Sequence, residues 1–259
     1  MLLAIDIGNT DTVVGVYNAE ELVADWRLTS SGTRTADEIW LTIKNFCVDA
    51  DISPARLTGV GISSVVPNLT DIFETIARRY VKVEPLVVDG SLDLGFNIHY
   101  KDRSAVGADR LCNAIAGYNK HGGPLIIIDF GTATTFDVIS AKGDYLGGVI
   151  CLGIESSASE LHRRAAKLPR IELRFPSSVI GQDTVSSMQA GIMLGTVEAV
   201  EGIVRRIQAE LKAEARVIAT GGLSTVIAQN TSSIEALEPT LVLEGIRLIT
   251  ERVNRSETV

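Results

Sequence analysis

The chain opens on Leu2-Leu3-Ala4-Ile5-Asp6-Ile7-Gly8-Asn9-Thr10. The pattern returns at Leu125-Ile126-Ile127-Ile128-Asp129-Phe130-Gly131-Thr132-Ala133-Thr134-Thr135. Each is an apolar run ending in Asp-x-Gly and small hydrogen-bonding residues, which reads as a buried strand closing in a tight turn. Asp129 follows Asp6 by 123 residues, and the pairs Gly8/Gly131 and Thr12/Thr135 keep that spacing. A packed core needs no second polar strand end at a matching position. The repeat therefore predicts a duplicated domain, with one polar turn from each half facing a shared cleft. A chain of 259 residues has room for two ordinary domains. The breaker-rich stretch Asn119-Lys120-His121-Gly122-Gly123-Pro124 divides them, giving expected domains of residues 1–121 and 122–259.

The pattern along each half is that of an α/β protein. After the first turn, residues 12–18 and 21–28 read as two more strands. Thr35-Ala36-Asp37-Glu38 has the form of a capping box, followed by Ile39, Ile43, Phe46 and Cys47 on one helical face. Residues 57–66 form an apolar strand, and Asn68 is placed to cap a helix whose inner face is Leu69, Ile72, Phe73, Ile76 and Tyr80. A short strand at 85–88, an ordered loop over 91–106 and a helix from Gly107 to about Tyr118 complete the first half. The second half repeats the scheme with strands near 125–130, 133–141 and 144–151. A helical insertion follows at 155–166, then a long helix at 188–213, a strand at 216–220 and a last helix at 240–252. The order β-β-β-α-β-α-β-α thus occurs twice. On the long helix Gly191, Gly195, Ala199 and Gly202 form a small-residue stripe, which calls for another backbone close by, from the other domain or from another subunit.

Bulk properties remove several functional classes. A formal charge of −8, with no basic stretch standing out, argues against nucleic acid or an anionic membrane as partner. It leaves anionic small molecules open, because turn amides and helix N-termini hold phosphate without lysine. Cys47, Cys112 and Cys151 are scattered, so neither structural zinc nor a disulfide framework is expected, and the pattern fits reduced cytosolic thiols. No apolar run approaches a membrane span, and no basic leader precedes the first strand.

The chemistry-bearing stretches are few. In Asp6-Ile7-Gly8-Asn9-Thr10 the glycine lets backbone approach an anion, and Asn9 and Thr10 add donors. Asp6 repels phosphate, so its expected duty is Mg²⁺, bound directly or through water. Gly107-Ala108-Asp109-Arg110 opens a helix, where the dipole favours the ionised Asp109. This carboxylate can accept a hydroxyl proton while Arg110 grips a substrate carboxylate; a plain helix-start Asp and a solvated Arg would look the same. Ala219-Thr220-Gly221-Gly222 follows a strand, and its glycines can lie flat against an adenine or ribose. P-loop, dinucleotide-fold, metalloprotease and serine-hydrolase signatures are absent, and His99, His121 and His162 form no recognisable pairing.

The D-I-G-N-T and D-F-G-T-A-T-T turns, with A-T-G-G late in the chain, resemble the actin-like ATPase (ribonuclease H-like) fold shared by sugar kinases and heat-shock chaperones. With G-A-D-R between them, the chain resembles type III pantothenate kinases over essentially its whole length. The resemblance implies ATP-dependent phosphorylation of pantothenate at its terminal hydroxyl, opening coenzyme A synthesis. It assigns Asp6, Ile7, Gly8, Asn9, Thr10, Asp11, Thr12 and Val13 to the first phosphate hairpin, and Gly131 and Thr132 to the second. Gly221 and Gly222 fall on the adenosine side. Asp109 matches the general base, and Tyr100, Gly107, Ala108, Asp109 and Arg110 match pantothenate contacts. Asp129 matches a ligand of K⁺ or NH₄⁺, with Mg²⁺ accompanying ATP. Thr184 matches a residue that reaches the neighbouring subunit's substrate, which implies a homodimer. One departure is Cys151-Leu152-Gly153, where such proteins usually carry Pro-Gly. A small sugar or amino-sugar kinase of the same fold, and a non-catalytic nucleotide-binding regulator, are the alternative readings.

Overall fold

A computed structural model describes residues 1–256. The chain forms two compact units: Met1–Ala116 joined by the segment from Thr240 onward, and Gly117–Pro239. The first is built on strands β1 (Leu2–Ile7), β2 (Asp11–Asn18), β3 (Glu21–Thr29), β4 (Gly59–Ser64) and β5 (Leu86–Val87), in the order β3-β2-β1-β4-β5. The second uses β6 (Leu125–Phe130), β7 (Ala133–Ile139), β8 (Tyr145–Leu152), β9 (Arg216–Thr220) and β10 (Ala236–Leu237), in the order β10-β9-β6-β7-β8. The Asp-bearing strands β1 and β6 are central in their sheets. Each pairs antiparallel with the strand that follows it and parallel with β4 or β9 on its other side. The near-continuous apolar runs of β1 and β6 are what strands covered on both faces require. The duplication expected from the sequence is present at the level of topology.

The repeat loses register after the turn. In the first hairpin Gly8, Asn9 and Thr10 separate β1 from β2, whereas only Gly131 and Thr132 separate β6 from β7. Ile7 therefore faces Thr12, but Phe130 faces Thr134, and Asp129 faces Thr135. Thr12 and Thr134 are both buried, at 2% and 4% exposure. The structural counterpart of Thr12 is thus Thr134, not Thr135 as constant spacing implied, because the second turn is shorter by one residue.

Around the first sheet lie α1 (Ala36–Asp49), α2 (Pro67–Ile76), α3 (Ala108–His121) and α8 (Leu241–Ser256). The Thr35/Glu38 capping box of α1 forms as expected, each partner bonding the other's backbone N–H. Helix α2 begins differently: Pro67 is its first residue, Val66 its N-cap, and Asn68 does not cap it. The Ser64 hydroxyl accepts from the Val66 N–H instead. One sheet face carries a core that includes Ile5, Ile7, Ile43, Ile62 and Phe73.

The division expected at residue 121 needs correction at the C-terminus. Helix α8 packs on the first sheet, with Leu243 against Gly15 of β2 and Ile246 against Gly61 of β4. Buried Arg247 of α8 is held by Glu244 and Glu251 and lies over the Tyr17 ring of β2. The glycines in the strands remove the side chains that would keep the helix away. The sequence indicates a last helix at 240–252 but not which sheet it covers.

In the second unit α4 (Ile154–Arg164), α5 (Thr184–Gln189), α6 (Gly195–Leu211) and α7 (Ser224–Ala228) accompany the sheet, with Ile126, Ile128, Phe136 and Val217 in its core. The long helix starts at Thr184, four residues earlier than periodicity indicated, because Asp183 caps it through the Ser186 N–H. A π-helical turn at Ala190–Leu194 links α5 to α6. Among the described residues no helix is long and apolar enough to cross a membrane.

A Cβ built on Gly245 of α8 would overlap the Cys112 carbonyl of α3. Gly245→Ala is therefore expected to force α8 off α3 and lower stability by about 2 kcal/mol, measured by denaturant unfolding.

Candidate functional site

In the first unit the site begins where β1 ends. Parallel pairing of β1 with β4 sets Ser63 beside Asp6, and the Ser63 hydroxyl donates to Asp6 Oδ1 at 2.9 Å. Ser63 is fully buried, so this bond fixes the carboxylate's orientation in a dry place. The sequence reading missed Ser63. Its signal was a second polar strand end, Ser63-Ser64, but the pairing that brings it to Asp6 spans 57 residues.

Asp109 lies in the first turn of α3 and is half-buried. Its Oδ1 accepts from the Arg110 N–H at 2.8 Å. A Cβ on Gly107 would stand 2.5 Å from that same oxygen, so the residue before the helix must be small for the carboxylate to fold back there. Burial raises the Asp109 pKa; the Arg110 N–H and the positive Arg110 guanidinium oppose the rise without cancelling it. The sequence argument, from the helix dipole alone, favoured the ionised form. Desolvation is the larger effect, and it leaves a stronger base than an ordinary aspartate.

Cys112, one helical turn further on and fully buried, has its thiol pushed well up by burial, with the charges of Asp6 and Asp109 adding to the rise. Ser63 is also within hydrogen-bond reach of it. The charges of Asp6 and Asp109 both reach this one buried thiol, which the sequence spacing does not reveal. Ala108 and Arg110 are buried, Arg110 at 7% exposure, so the solvated-charge alternative for Arg110 falls away. Tyr100 lies in the irregular segment before α3 and is 38% exposed.

The first turn exposes Asn9 and Thr10, and the Gly8 N–H closes it onto the Asp11 carbonyl at 3.0 Å. Strand alternation turns Ile7 into the core, and Val13 is half-buried. Asp11 is engaged by Arg27. The Thr12 hydroxyl is buried against Ser30, at 2.9 Å, so its side chain supports the turn from inside.

In the second unit Asp129 is the next-to-last residue of β6, and Gly221 approaches it closely. Gly221 has φ +89°, and a Cβ there would lie 2.6 Å from Asp129 Oδ1. Only glycine combines that backbone conformation with that approach. The space around Gly222 is open. Gly131 and Thr132 are exposed in the second turn. Gly153 packs against that turn so closely that a Cβ would overlap the Gly131 and Thr132 carbonyls. The Leu152-Gly153 departure therefore keeps the glycine that matters, and exposed Leu152 does not disturb the contact.

Thr184 is exposed at the start of α5, beside a cavity of about 780 Å³ lined among others by Leu161, Gly181, Gln182, Ser187 and Gly191. Gly191 and Gly195 are exposed, and a Cβ on either would meet none of the described residues within 4 Å, so packing inside the chain does not explain the small-residue stripe. Among the described residues no group of three His, Cys, Asp or Glu is gathered to hold a metal ion. The oxygen donors near Asp6 and Asp129 suit a hard cation that brings other ligands with it, rather than a closed protein cage.

The family model for type III pantothenate kinase matches residues 2–206. A type III pantothenate kinase of Roseiflexus sp. (strain RS-1) is 48% identical over 99% of this chain and 100% of its own length. That of Thermomicrobium roseum is 46% identical over 99% of both. Among solved structures, an activator of 2-hydroxyisocaproyl-CoA dehydratase from Clostridium difficile superposes with TM-score 0.58 at 14% identity, covering 100% of this chain and 97% of that one. The ethanolamine utilization protein EutJ from Carboxydothermus hydrogenoformans superposes with TM-score 0.57 at 16% identity, over 95% and 89%. At such identities these two speak for the duplicated actin-like architecture alone. The relatives that share nearly half of its residues along its whole length decide the rest: the chain belongs to the type III pantothenate kinase family.

Proposed function

We propose that this protein transfers the γ-phosphoryl group of ATP to the terminal hydroxyl of pantothenate, the first step of coenzyme A biosynthesis, with Asp109 as general base. The observation that carries the assignment is the half-buried Asp109 carboxyl at the start of α3, its Oδ1 held by the Arg110 N–H and its pKa raised by burial. Buried Arg110 supplies a fixed positive charge suited to the pantothenate carboxylate, and Tyr100, Gly107 and Ala108 contribute to the same pocket. In the step itself the substrate oxygen forms its bond to phosphorus as the bond to ADP breaks. The hydroxyl proton passes to Asp109.

The backbone and hydroxyls of Asp6–Val13, and of Gly131 and Thr132, hold the phosphates, and Gly221-Gly222 offer a flat surface for the adenosine. Asp6, oriented by Ser63, would hold Mg²⁺ directly or through water, and Asp129 would hold K⁺ or NH₄⁺. These ions supply positive charge against the phosphates where lysine is lacking. The exposed Gly191/Gly195 stripe, with Ile150, Leu152, Val179 and Ile180 more than half exposed on the same unit, supports a homodimer in which Thr184 serves the partner's substrate. Two buried thiols and a third half-buried one suit a reducing cytoplasm.

Asp109→Asn is expected to bind Mg·ATP normally and to lose roughly 10²–10⁴-fold in kcat with pantothenate. A raised native carboxyl pKa costs stability as pH climbs from the unfolded value through the folded one, and the loss persists above it. The same variant should therefore melt higher than the parent at pH 7, and a lower Tm would count against the burial argument. A hexose panel run beside pantothenate separates this activity from that of a sugar kinase. Asp129→Asn should raise the K⁺ concentration needed for half-maximal rate. Gly195→Trp should convert the dimer to monomer in sedimentation velocity; an unchanged mass would place the interface elsewhere.

A further inference from the structure

A turn that holds an anion must present N–H groups to it and keep its carbonyl oxygens turned away. In each Asp-x-Gly turn, carbonyls are held by donors from residues that follow later in the chain. In the first, the Ser30 N–H donates to the Thr10 carbonyl at 2.9 Å and Ser30 Oγ donates to the Gly8 carbonyl at 2.7 Å. In the second, the Gly153 N–H donates to the Thr132 carbonyl at 3.2 Å, and Ser156 Oγ donates to the same oxygen at 2.8 Å. A trans peptide puts its C=O and the following N–H on opposite edges. Anchoring these three carbonyls therefore turns the N–H groups of Asn9, Asp11 and Ala133 the other way.

Ser30 and Gly153 are separated by the same 123 residues as Asp6 and Asp129. The backbone half of the brace thus belongs to the duplicated pattern, while the hydroxyl comes from different places. Residue 153 has no room for a side chain against the second turn, so it cannot carry the hydroxyl as Ser30 does. Ser156, on the first turn of α4, supplies it instead. The same carbonyl-anchoring arrangement, reached from two sequence positions, marks it as a requirement of the turn.

We propose that Ser30 and Ser156 are positioning residues for nucleotide phosphate, acting through the turn backbone by holding its carbonyls inward. This rests on the ATP reading above. The test measures Mg·ATP affinity by calorimetry, KM for both substrates and Tm on the full chain carrying Ser30→Ala, Ser156→Ala or the corresponding threonine. Each alanine variant is expected to bind Mg·ATP about five- to tenfold more weakly with an unchanged pantothenate KM, and threonine to restore affinity. Unchanged ATP affinity overturns the proposal. So does a loss shared equally by both substrates that threonine does not rescue. Should an alanine variant fail to fold, cysteine, a near-isostere with a weak donor, replaces it under the same criteria. Wild-type protein that fails to bind Mg·ATP would refute the ATP reading itself, whereas wild-type binding with unaltered variants refutes only the braces.

Discussion

Desolvation pushes the Asp109 carboxyl up, and the Arg110 N–H and guanidinium pull it part of the way back. Close packing around that carboxyl depends on glycines. Gly107 must lack a side chain for the carboxylate to fold onto its own helix start. The helix that carries it, α3, is met by α8 at a glycine, Gly245, which lets the two backbones touch at Cys112. α8 in turn reaches the sheet over Gly15 and Gly61. A chain of small residues thus runs from the outer helix to the candidate base. Each link trades helix or strand propensity, on the order of 0.5–1 kcal/mol per glycine, for close approach. The return is a carboxyl whose affinity for a proton is set by its surroundings rather than by water.

Asp6 is managed by other means. It lies at the end of a central strand, and the parallel neighbour provides Ser63 as a fixed donor to one of its oxygens. That bond orients the Asp6 carboxylate, whereas burial of Asp109 favours its protonated form. Two carboxylates in one unit, both felt by the Cys112 thiol, thus sit in different surroundings. Divergent environments around paired carboxyls are a common route to separate acid–base roles.

The sequence was informative where a residue type and a local spacing suffice. The repeated apolar run with Asp-x-Gly gave the duplicated sheets, and Thr35 with Glu38 gave the start of α1. It was silent where the deciding partner is far along the chain. Ser63 meets Asp6 only because β4 pairs with β1. The last helix was indicated, but its choice of the first sheet depends on Gly15 and Gly61 being there to receive it. Constant spacing also misled at Thr135, because duplication preserves strands more faithfully than turn lengths. Asn68 lost the cap of α2 to Pro67, whose fixed φ suits the first helical position and shifts the N-cap back to Val66.

The unequal turns bear on how the two halves divide their work. The longer first turn carries Asn9 and Thr10 outward and is anchored at two carbonyls, whereas the shorter second turn is anchored twice at one. Asn9 lies between the two anchored carbonyls of the first turn, and the shorter second turn has no such middle residue. Structures at 14–16% identity share this architecture. The duplication leaves one segment unrepeated before α3. In the first unit that is the irregular stretch holding Tyr100 that leads into Gly107, which has no counterpart between β10 and α8, where only residues 238–240 intervene. The irregular stretch before α3 is thus the part of the first unit that duplication does not account for, and it ends at the glycine against which the Asp109 carboxylate folds.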